Sequence, residues 1–464
     1  MTVDYRKKSS GSEETLRDIL LLFIWGAVLC LCAITLKNQY LSGQPPLWDN
    51  LSYQQQTLQF LINCLEGNWT EALNEIWVSM TPAYLISLAT SYILFGLNPV
   101  SPYIVSAFFG IACMMAVYLL SQELGASKRT AFWGTVTFSL LPNFIYQNFL
   151  QTRNDFPLAF FITISWFLLL RGIQHKDFKS AFCAGAIAGV GTLFKASAPG
   201  YMAWGVIAFL AIPEKHIHIN LKNRMKLALF FVGGATLSCG WHFLPHLSQI
   251  LTYYTIWGNF KTWVAPQYNL QSNWVDFFFY LRNIIFNHLG IKVSIGIILV
   301  VGVLLMRWFK VKRSIKLPEE NSKESPLVFL VLMAGILPII FISLKGSFSS
   351  LGDIPALPLL AAAGIAFIYK ISKGIVIPRI FLAPLLPIGL IISLANLNII
   401  EKQFSAKDIE ILSRETMNVR QEFGLGNTRM MQVFSHPIYN TDSLAWFWLM
   451  DPKIDRDLVH QHPH

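Results

Sequence analysis

Two acidic residues in the chain each follow a long apolar segment and have polar or aromatic neighbours. Asp49 occurs in the sequence PPLWDNLSY (45–53), and Asp155 occurs in QTRNDFP (151–157). The charge pattern described below puts both on the same side of a membrane, so we expect the two carboxylates to share one extracytoplasmic pocket. A carboxylate beside a hydroxyl group can take its proton as the oxygen attacks. The pair therefore indicates an enzyme that works at the membrane surface.

Both acids also have a simpler structural explanation. Asp49 can cap a helix that starts at Leu51, because Asp and Asn are favoured at the residue before a helix. Asp155 can cap a helix with Pro157 in its first turn, a position that proline tolerates. Both explanations stay open on sequence alone, although Arg153 and Asn154 add polar groups that capping does not require.

A lysine in an apolar hairpin is the third chemical feature. Lys195 follows a segment rich in Gly and Ala (184–193), whose small residues favour close helix packing. Its amine either extends to the lipid headgroups or holds an anionic group such as a phosphate. Further cations predicted on the same side are Arg153, Lys261, Arg282 and Lys345.

The composition determines the class of protein that must position these residues. Of 464 residues, 54% are hydrophobic and 13% are charged, and the mean hydropathy is +0.47. This is an integral membrane protein, and a helix needs about 20 apolar residues to cross a bilayer. Apolar segments predict roughly eleven spans. They are 18–36, 102–122, 131–149, 156–170, 180–197, 199–212, 226–245, 284–306, 327–344, 354–369 and 380–397.

The orientation of these spans follows from the basic residues, which cluster in alternate loops and are retained on the cytoplasmic side. The N-terminus is therefore predicted inside and the C-terminal tail outside. The apolar segment Thr81–Leu97 is placed in the outer interface, because a crossing there would invert every later loop. The net charge of +10 is explained by this pattern, so nucleic acid is not an expected partner.

The chain divides into three regions by composition. Residues 1–17 form a cytoplasmic tail, 18–400 an all-α polytopic membrane module, and 401–464 a small extracytoplasmic α/β tail. The outer loop 37–101 contains two predicted amphipathic helices, Tyr53–Leu65 and Trp69–Val78, separated at Gly67 and Asn68. The outer loop 247–283 is rich in Tyr and Trp, as in the aromatic belts of membrane proteins.

Several segments in matching order resemble the GT-C glycosyltransferases. They are the acid after the first span, Thr81–Tyr84 leading to Leu94–Leu97, the run 101–125, Asp155–Leu158, and the Gly-rich approach to Lys195. Within that class the sequence is similar to the protein O-mannosyltransferases and the bacterial aminoarabinose transferase that modifies lipid A. The similarity covers residues 18–201, and beyond them only the hydropathy pattern matches. It implies a GT-C type transmembrane bundle.

The resemblance also implies roles for individual residues. Asp49 corresponds to the catalytic base, and Asp155 to a second catalytic carboxylate that orients the sugar or acceptor, or holds a divalent cation. The donor phosphate is assigned to basic residues, here Lys195, Arg153, Lys345 and Arg282. The substrate-binding positions are Trp48, Asn50, Tyr53 and Asn154. No cofactor is required by the sequence, and no metal site is defined, since lone histidines such as His246 and His436 are more often structural.

The implied reaction moves a hexosyl or pentosyl group, with inversion, from a polyprenyl-phosphate sugar to a hydroxyl of a lipid, glycan or protein acceptor. The leaving phosphate is a stable anion, so it requires positive charge more than a proton donor. Two alternatives stay open: a transporter or flippase of lipid-linked glycans, and a polysaccharide polymerase or ligase. A transporter would carry ionisable groups at mid-membrane, whereas the acids here lie at the ends of the spans.

Overall fold

The computed structural model describes residues 5–40, 49–98, 100–141, 144–145, 152–214, 219–258, 284, 325–344 and 353–372. Within these ranges the regular structure is helical, without strands. The helices, numbered here in chain order, are α1 Tyr5–Tyr40, α2 Asp49–Leu65, α3 Trp69–Val78, α4 Pro82–Phe95, α5 Ser101–Glu123, α6 Lys128–Ser139, α7 Asp155–His175, α8 Phe178–Phe194, α9 Ala198–Ala211, α10 Leu221–Phe243, α11 Leu247–Gly258, α12 Ser325–Leu344 and α13 Leu357–Ser372, with a short 3₁₀ helix at Ile354–Ala356. The predicted α/β tail 401–464 lies outside the described residues, as do the predicted span 380–397 and most of 284–306.

Three of the described helices are long and apolar enough to cross a membrane: Glu13–Thr35 within α1, α5, and α7. Shorter apolar helices cover the predicted spans at 180–197, 199–212, 327–344 and 354–369. The predicted span 131–149 differs, because its helix ends at Ser139. Pro142 follows closely, and a proline disfavours helical conformation in the residue before it. The count of eleven spans and their orientation stay predictions.

The chain forms two compact units by its internal contacts. The first unit contains residues 1–29, 109–145 and 154–397, and the second contains 30–108, 146–153 and 398–464. Of the helices named above, α6 to α13 belong to the first unit and α2 to α4 belong to the second.

Close backbone contact between α8 and α10 organises the first unit. A Cβ atom built on Gly185 would lie 1.8 Å from the carbonyl oxygen of Phe231, and one built on Gly234 would lie 2.1 Å from that of Phe182. Only glycine fits at either position, because a real Cβ does not approach an oxygen so closely. The Gly and Ala pattern of α8 thus serves helix packing, as its small residues predicted.

Polar side chains fix the turn between α7 and α8 and the start of α10. Asp177 precedes α8 and accepts hydrogen bonds from the Ser180 hydroxyl at 2.6 Å and the Lys179 amide at 3.0 Å. These bonds, the hydroxyl first, hold the pKa of this carboxyl below its usual range. Arg224, which is 3% exposed, donates to the carbonyl oxygens of Leu210 at 3.0 Å and Ile212 at the end of α9.

Candidate active site

The candidate site in the first unit forms where the start of α7 meets the end of α8. Asn154 precedes α7, and Asp155 is its first residue. At the other end, α8 stops at Phe194, and Lys195 has extended backbone angles (φ −154, ψ 118). The helix thus ends where the Lys195 side chain can reach the α7 N-terminus.

Lys195 and Asp155 form an ion pair across this junction. The Nζ atom of Lys195 lies 2.5 Å from Oδ1 of Asp155, and the side chains are 27% and 6% exposed, respectively. The carboxylate also lies in the first turn of α7, where the helix dipole favours negative charge. An ammonium group carries three N–H donors, so two remain after the bond to Asp155. The pair therefore holds a partly exposed cation at a fixed place.

Asn154 fixes the same junction from the backbone side. Its Nδ2 donates to the carbonyl oxygen of Phe194 at 3.1 Å, and the residue is 1% exposed. This bond satisfies one of the carbonyl groups that the end of a helix leaves without an intrahelical partner. Asn154 makes no side-chain capping bond to α7. The proposed capping role of Asp155 is therefore wrong, because Asp155 lies within the helix and its carboxylate bonds to Lys195.

Four phenylalanines support the end of α8. The Phe194 ring lies 4.9 Å from that of Phe161 on α7 and 5.0 Å from that of Phe109 on α5, and Phe160 is 5.0 Å from Phe161. Ring pairs at such distances add stabilisation beyond the apolar area they bury. The residue before Lys195 is thus anchored in an apolar cluster, which restricts where the amine can lie.

A buried acid of the first unit, Asp353, was not assigned a role from the sequence. Asp353 is fully buried at 0% exposure and immediately precedes the 3₁₀ helix Ile354–Ala356, which packs against α7. Its backbone carbonyl accepts from the amides of Ala356 at 3.0 Å and Leu357 at 3.2 Å. A carboxylate at such depth requires polar or charged partners. Asp353 lies one residue before the predicted span 354–369, and hydropathy alone gave no signal that could have identified it.

In the second unit, α2 begins at Asp49 itself. The helix therefore starts two residues before the predicted Leu51, and Asp49 is part of it. Tyr53 packs edge-on against the Tyr84 ring of α4, with centroids 5.3 Å apart. This contact fixes one of the predicted substrate-binding side chains on α2.

A buried polar chain in the second unit holds α2 in place, and the sequence did not predict it. Gln54, at 1% exposure, donates from Nε2 to the hydroxyl of Thr152 at 2.9 Å. Its Oε1 accepts from the Tyr92 hydroxyl of α4 at 3.2 Å. Buried amides and hydroxyls that satisfy one another in this way specify a single packing. Residues so far apart in sequence give no local signal of such pairing.

The structure thus brings together three of the predicted site residues, namely Asn154, Asp155 and Lys195. Asp49, Asn50 and Tyr53 share one end of α2, and Arg153 is half-buried. The predicted residues Trp48, Arg282 and Lys345 lie outside the described residues.

A divalent cation does not fit the surroundings of Asp155 as observed. The Oδ1 atom of Asp155 already contacts the ammonium group of Lys195. That group would repel a metal ion, and it lies where the ion would bind. Among the residues that the structure describes, no group of three or more His, Cys, Asp or Glu could hold a metal ion.

The fold class follows from comparison with solved structures. ArnT from Cupriavidus metallidurans in its apo state matches with a TM-score of 0.51 at 14% identity, over 94% of this chain and 77% of that chain. ArnT bound to undecaprenyl phosphate matches with a TM-score of 0.50 at the same identity and coverage. This likeness establishes a GT-C type fold, as the resemblance predicted.

A family model matches independently, for part of the chain. Residues 78–241 match the family described as dolichyl-phosphate-mannose-protein mannosyltransferase. The oligosaccharyltransferase AglB from Archaeoglobus fulgidus, solved with an inhibitory peptide and a dolichol-phosphate, aligns over 92% of this chain and 62% of that chain at 14% identity. The TM-score of this alignment is 0.46. The sequence search among curated proteins found no match. The resemblance to GT-C glycosyltransferases is confirmed.

Proposed function

We propose that this protein is a membrane glycosyltransferase that moves a sugar from a polyprenyl-phosphate donor to an acceptor hydroxyl on the extracytoplasmic side. The observation that carries the proposal is the Asp155–Lys195 pair, a partly exposed cation held at 2.5 Å by a buried carboxylate in a GT-C type fold. The family match over residues 78–241, which contain this pair, supports the same reaction class. The ArnT structure with undecaprenyl phosphate supports the choice of donor lipid.

The placement of buried charge supports an enzyme over a transporter. The buried acidic and basic residues in the described part of the chain are Asp18, Asp155, Arg224, Asp353 and His242, the last of which lies in the final turn of α10. Asp155 and Arg224 lie in the first turns of α7 and α10, Asp353 precedes a helix, and Asp18 lies near the start of the span Glu13–Thr35. A transport path would place such groups toward mid-membrane.

Lys195 is proposed to hold the donor phosphate, with Arg153, Lys345 and Arg282 as further cations. The bond from the anomeric carbon to the phosphate oxygen breaks, and the phosphate leaves with both bonding electrons. Positive charge at that oxygen lowers the barrier, because it stabilises charge that develops in the transition state. Asp155 is a positioning residue for Lys195, and Asn154 holds the backbone beside it.

Asp49 is proposed as the general base. The acceptor oxygen forms the new bond to the anomeric carbon from the face opposite the phosphate, and its proton passes to the Asp49 carboxylate. One displacement of this kind inverts the anomeric centre and needs no covalent enzyme intermediate. Trp48, Asn50 and Tyr53 are proposed to line the sugar or acceptor.

The test measures free polyprenyl phosphate released by the purified protein from a panel of polyprenyl-phosphate sugars. Wild type is compared with Asp49→Asn, which removes the base and keeps the shape of the side chain. We expect release to fall at least about 100-fold, the loss typical of removing a general base. Asp177→Asn is the matched control, because asparagine still caps α8 and the position is predicted on the cytoplasmic side.

Full release by Asp49→Asn would contradict the base assignment. Tight binding of a donor without release in the wild type would favour the transporter, and processive elongation of a glycan would favour the polymerase. Equal loss in Asp49→Asn and Asp177→Asn would indicate a folding defect in place of a chemical one.

A further inference from the structure

A buried histidine near the C-terminal end of α10 is not among the residues assigned to the proposed reaction. His242 lies in the last turn of that helix and is 3% exposed. An imidazole carries two ring nitrogens, and at least one of them is an N–H donor in either protonation state. Such a group is costly to bury unless its nitrogens meet polar or charged groups.

The contacts between α8 and α10 show which way this residue faces. A Cβ atom built on Gly189 of α8 would lie 2.8 Å from the Cβ of Ser238. One turn further on, the Thr192 hydroxyl is within hydrogen-bonding reach of the Cys239 thiol. His242 follows Ser238 by four positions and Cys239 by three, so it lies on the same face of α10. It therefore faces the end of α8.

The same contacts place His242 level with the ion pair. The two helices run in parallel, because successive contacts move toward the C-terminus of both. Lys195 lies three residues after Thr192. His242 likewise lies three residues after Cys239, which is about one helical turn. The imidazole thus comes to the level of Lys195, at the junction of α7 and α8.

Two aromatic neighbours restrict the imidazole ring of His242. The ring of His246 stacks on it, with centroids 4.7 Å apart and planes inclined by 24°. The Trp241 ring meets it edge-on at 5.4 Å. The Nδ1 atom of His246 also lies 2.8 Å from the carbonyl oxygen of His242, which ties the two residues together. A ring held in this way presents its nitrogens in a fixed direction, as the positioning of a ligand requires.

We propose that His242 donates a hydrogen bond to the phosphate of the polyprenyl-phosphate donor, beside Lys195. This inference rests on the proposed function. Once the sugar has been transferred, the phosphate has three terminal oxygens that accept hydrogen bonds, more than the two remaining N–H groups of Lys195 can satisfy. The bond from His242 strengthens as the sugar leaves, because negative charge grows on the phosphate.

The test measures binding of two lipids, undecaprenyl phosphate and undecaprenol, to the purified full chain in detergent. The lipids share the polyprenyl chain and differ only in the phosphate. We expect His242→Phe to weaken binding of undecaprenyl phosphate about 10-fold or more, the loss typical of one hydrogen bond to a charged group. Binding of undecaprenol should not change.

Amide variants and a distant histidine supply the controls. His242→Asn and His242→Gln place an amide N–H near the positions of Nδ1 and Nε2, so at least one of them should regain part of the affinity. His175→Phe makes the same substitution at an exposed histidine at the other end of α7. It should bind both lipids as wild type does.

Unchanged binding of undecaprenyl phosphate by His242→Phe would overturn the proposal. An equal loss for both lipids would also overturn it, because His242 would then only support the fold of the site. Loss in both amide variants as large as in His242→Phe would exclude a hydrogen-bond donor. Failure of the wild type to prefer undecaprenyl phosphate over undecaprenol would instead count against the proposed function, and this inference would fall with it.

Discussion

At the scale of single residues, the Asp155–Lys195 pair explains how a lysine can stand charged at the edge of an apolar bundle. Lys195 was predicted to reach either the headgroups or a phosphate, and the structure shows it bonded to a carboxylate that is 6% exposed. Such a pair costs desolvation, which the short contact and the helix dipole offset. If the pair served stability alone, apolar side chains could replace both residues. Substitution of both residues therefore tests whether the pair has a further role.

We predict that Asp155→Asn and Lys195→Met each lower stability by about 1–3 kcal/mol, because each leaves a buried or half-buried charge without its partner. The double variant should recover part of that loss, since neither charge is then left alone. Release of polyprenyl phosphate should stay at least about 100-fold below wild type in the double variant, because the cation proposed at the phosphate is gone. Thermal unfolding and the release assay measure the two effects separately.

Lys195→Arg is the conservative control for this pair. It keeps the charge and should retain more stability than Lys195→Met. Recovery of both stability and release in the double variant would show that the pair is structural only and would remove Lys195 from the proposed phosphate site.

At the scale of elements, α8 and α10 approach so closely that backbone touches backbone. This proximity brings the C-terminal end of α8 to a fixed place and with it Lys195. The three phenylalanines clustered with Phe194 hold the same end from the side of α5 and α7. The geometry of the ion pair therefore depends on helix packing some distance from it.

Two adjacent glycines of α10 give a matched test of this packing. A Cβ on Gly234 would lie 2.1 Å from the Phe182 carbonyl oxygen, whereas one on Gly233 would have nothing within 4 Å. We predict that Gly234→Ala costs about 1–3 kcal/mol through forced separation of the helices. Gly233→Ala should be neutral or stabilising by up to about 1 kcal/mol, because alanine favours helix over glycine.

Thermal unfolding of the two purified variants checks this prediction. Release of polyprenyl phosphate should fall together with stability only in Gly234→Ala. Equal melting temperatures for both variants would contradict the close contact of α8 with α10.

At the scale of the whole molecule, the basic loops predict which side of the membrane each connection occupies. The residues Asn68 and Lys176 are both exposed in the structure and lie in loops predicted on opposite sides. The orientation also decides whether the candidate site faces the extracytoplasmic side, which the proposed reaction requires.

We predict that a cysteine at Asn68 reacts with a membrane-impermeant maleimide in intact cells, because its loop contains few basic residues and is expected outside. A cysteine at Lys176 should react only after the membrane is permeabilised. The native cysteines are replaced in both variants. The reverse pattern would contradict the predicted orientation and place the proposed site in the cytoplasm.

The sequence by itself determined the helical membrane class and many of the helix bounds, because hydropathy, proline and capping residues act within a few positions. The predicted segments 69–78 and 102–122 correspond to α3 and α5 almost residue for residue. The break at Gly67 also follows from local chemistry, since its φ of +78 suits glycine. The class of chemistry was predicted from Asp49, Asp155 and Lys195 by their residue types and by the family resemblance.

Only the tertiary structure decided which side chains meet. Lys195 and Asp155 come together because the ends of α7 and α8 lie at one level, and Gln54 meets Thr152 and Tyr92 because a loop and two helices pack around it. It also decided that Asn154 holds the end of α8 and that Asp353 is buried. Such pairings depend on the packing of whole helices, and no local pattern of residues encodes them.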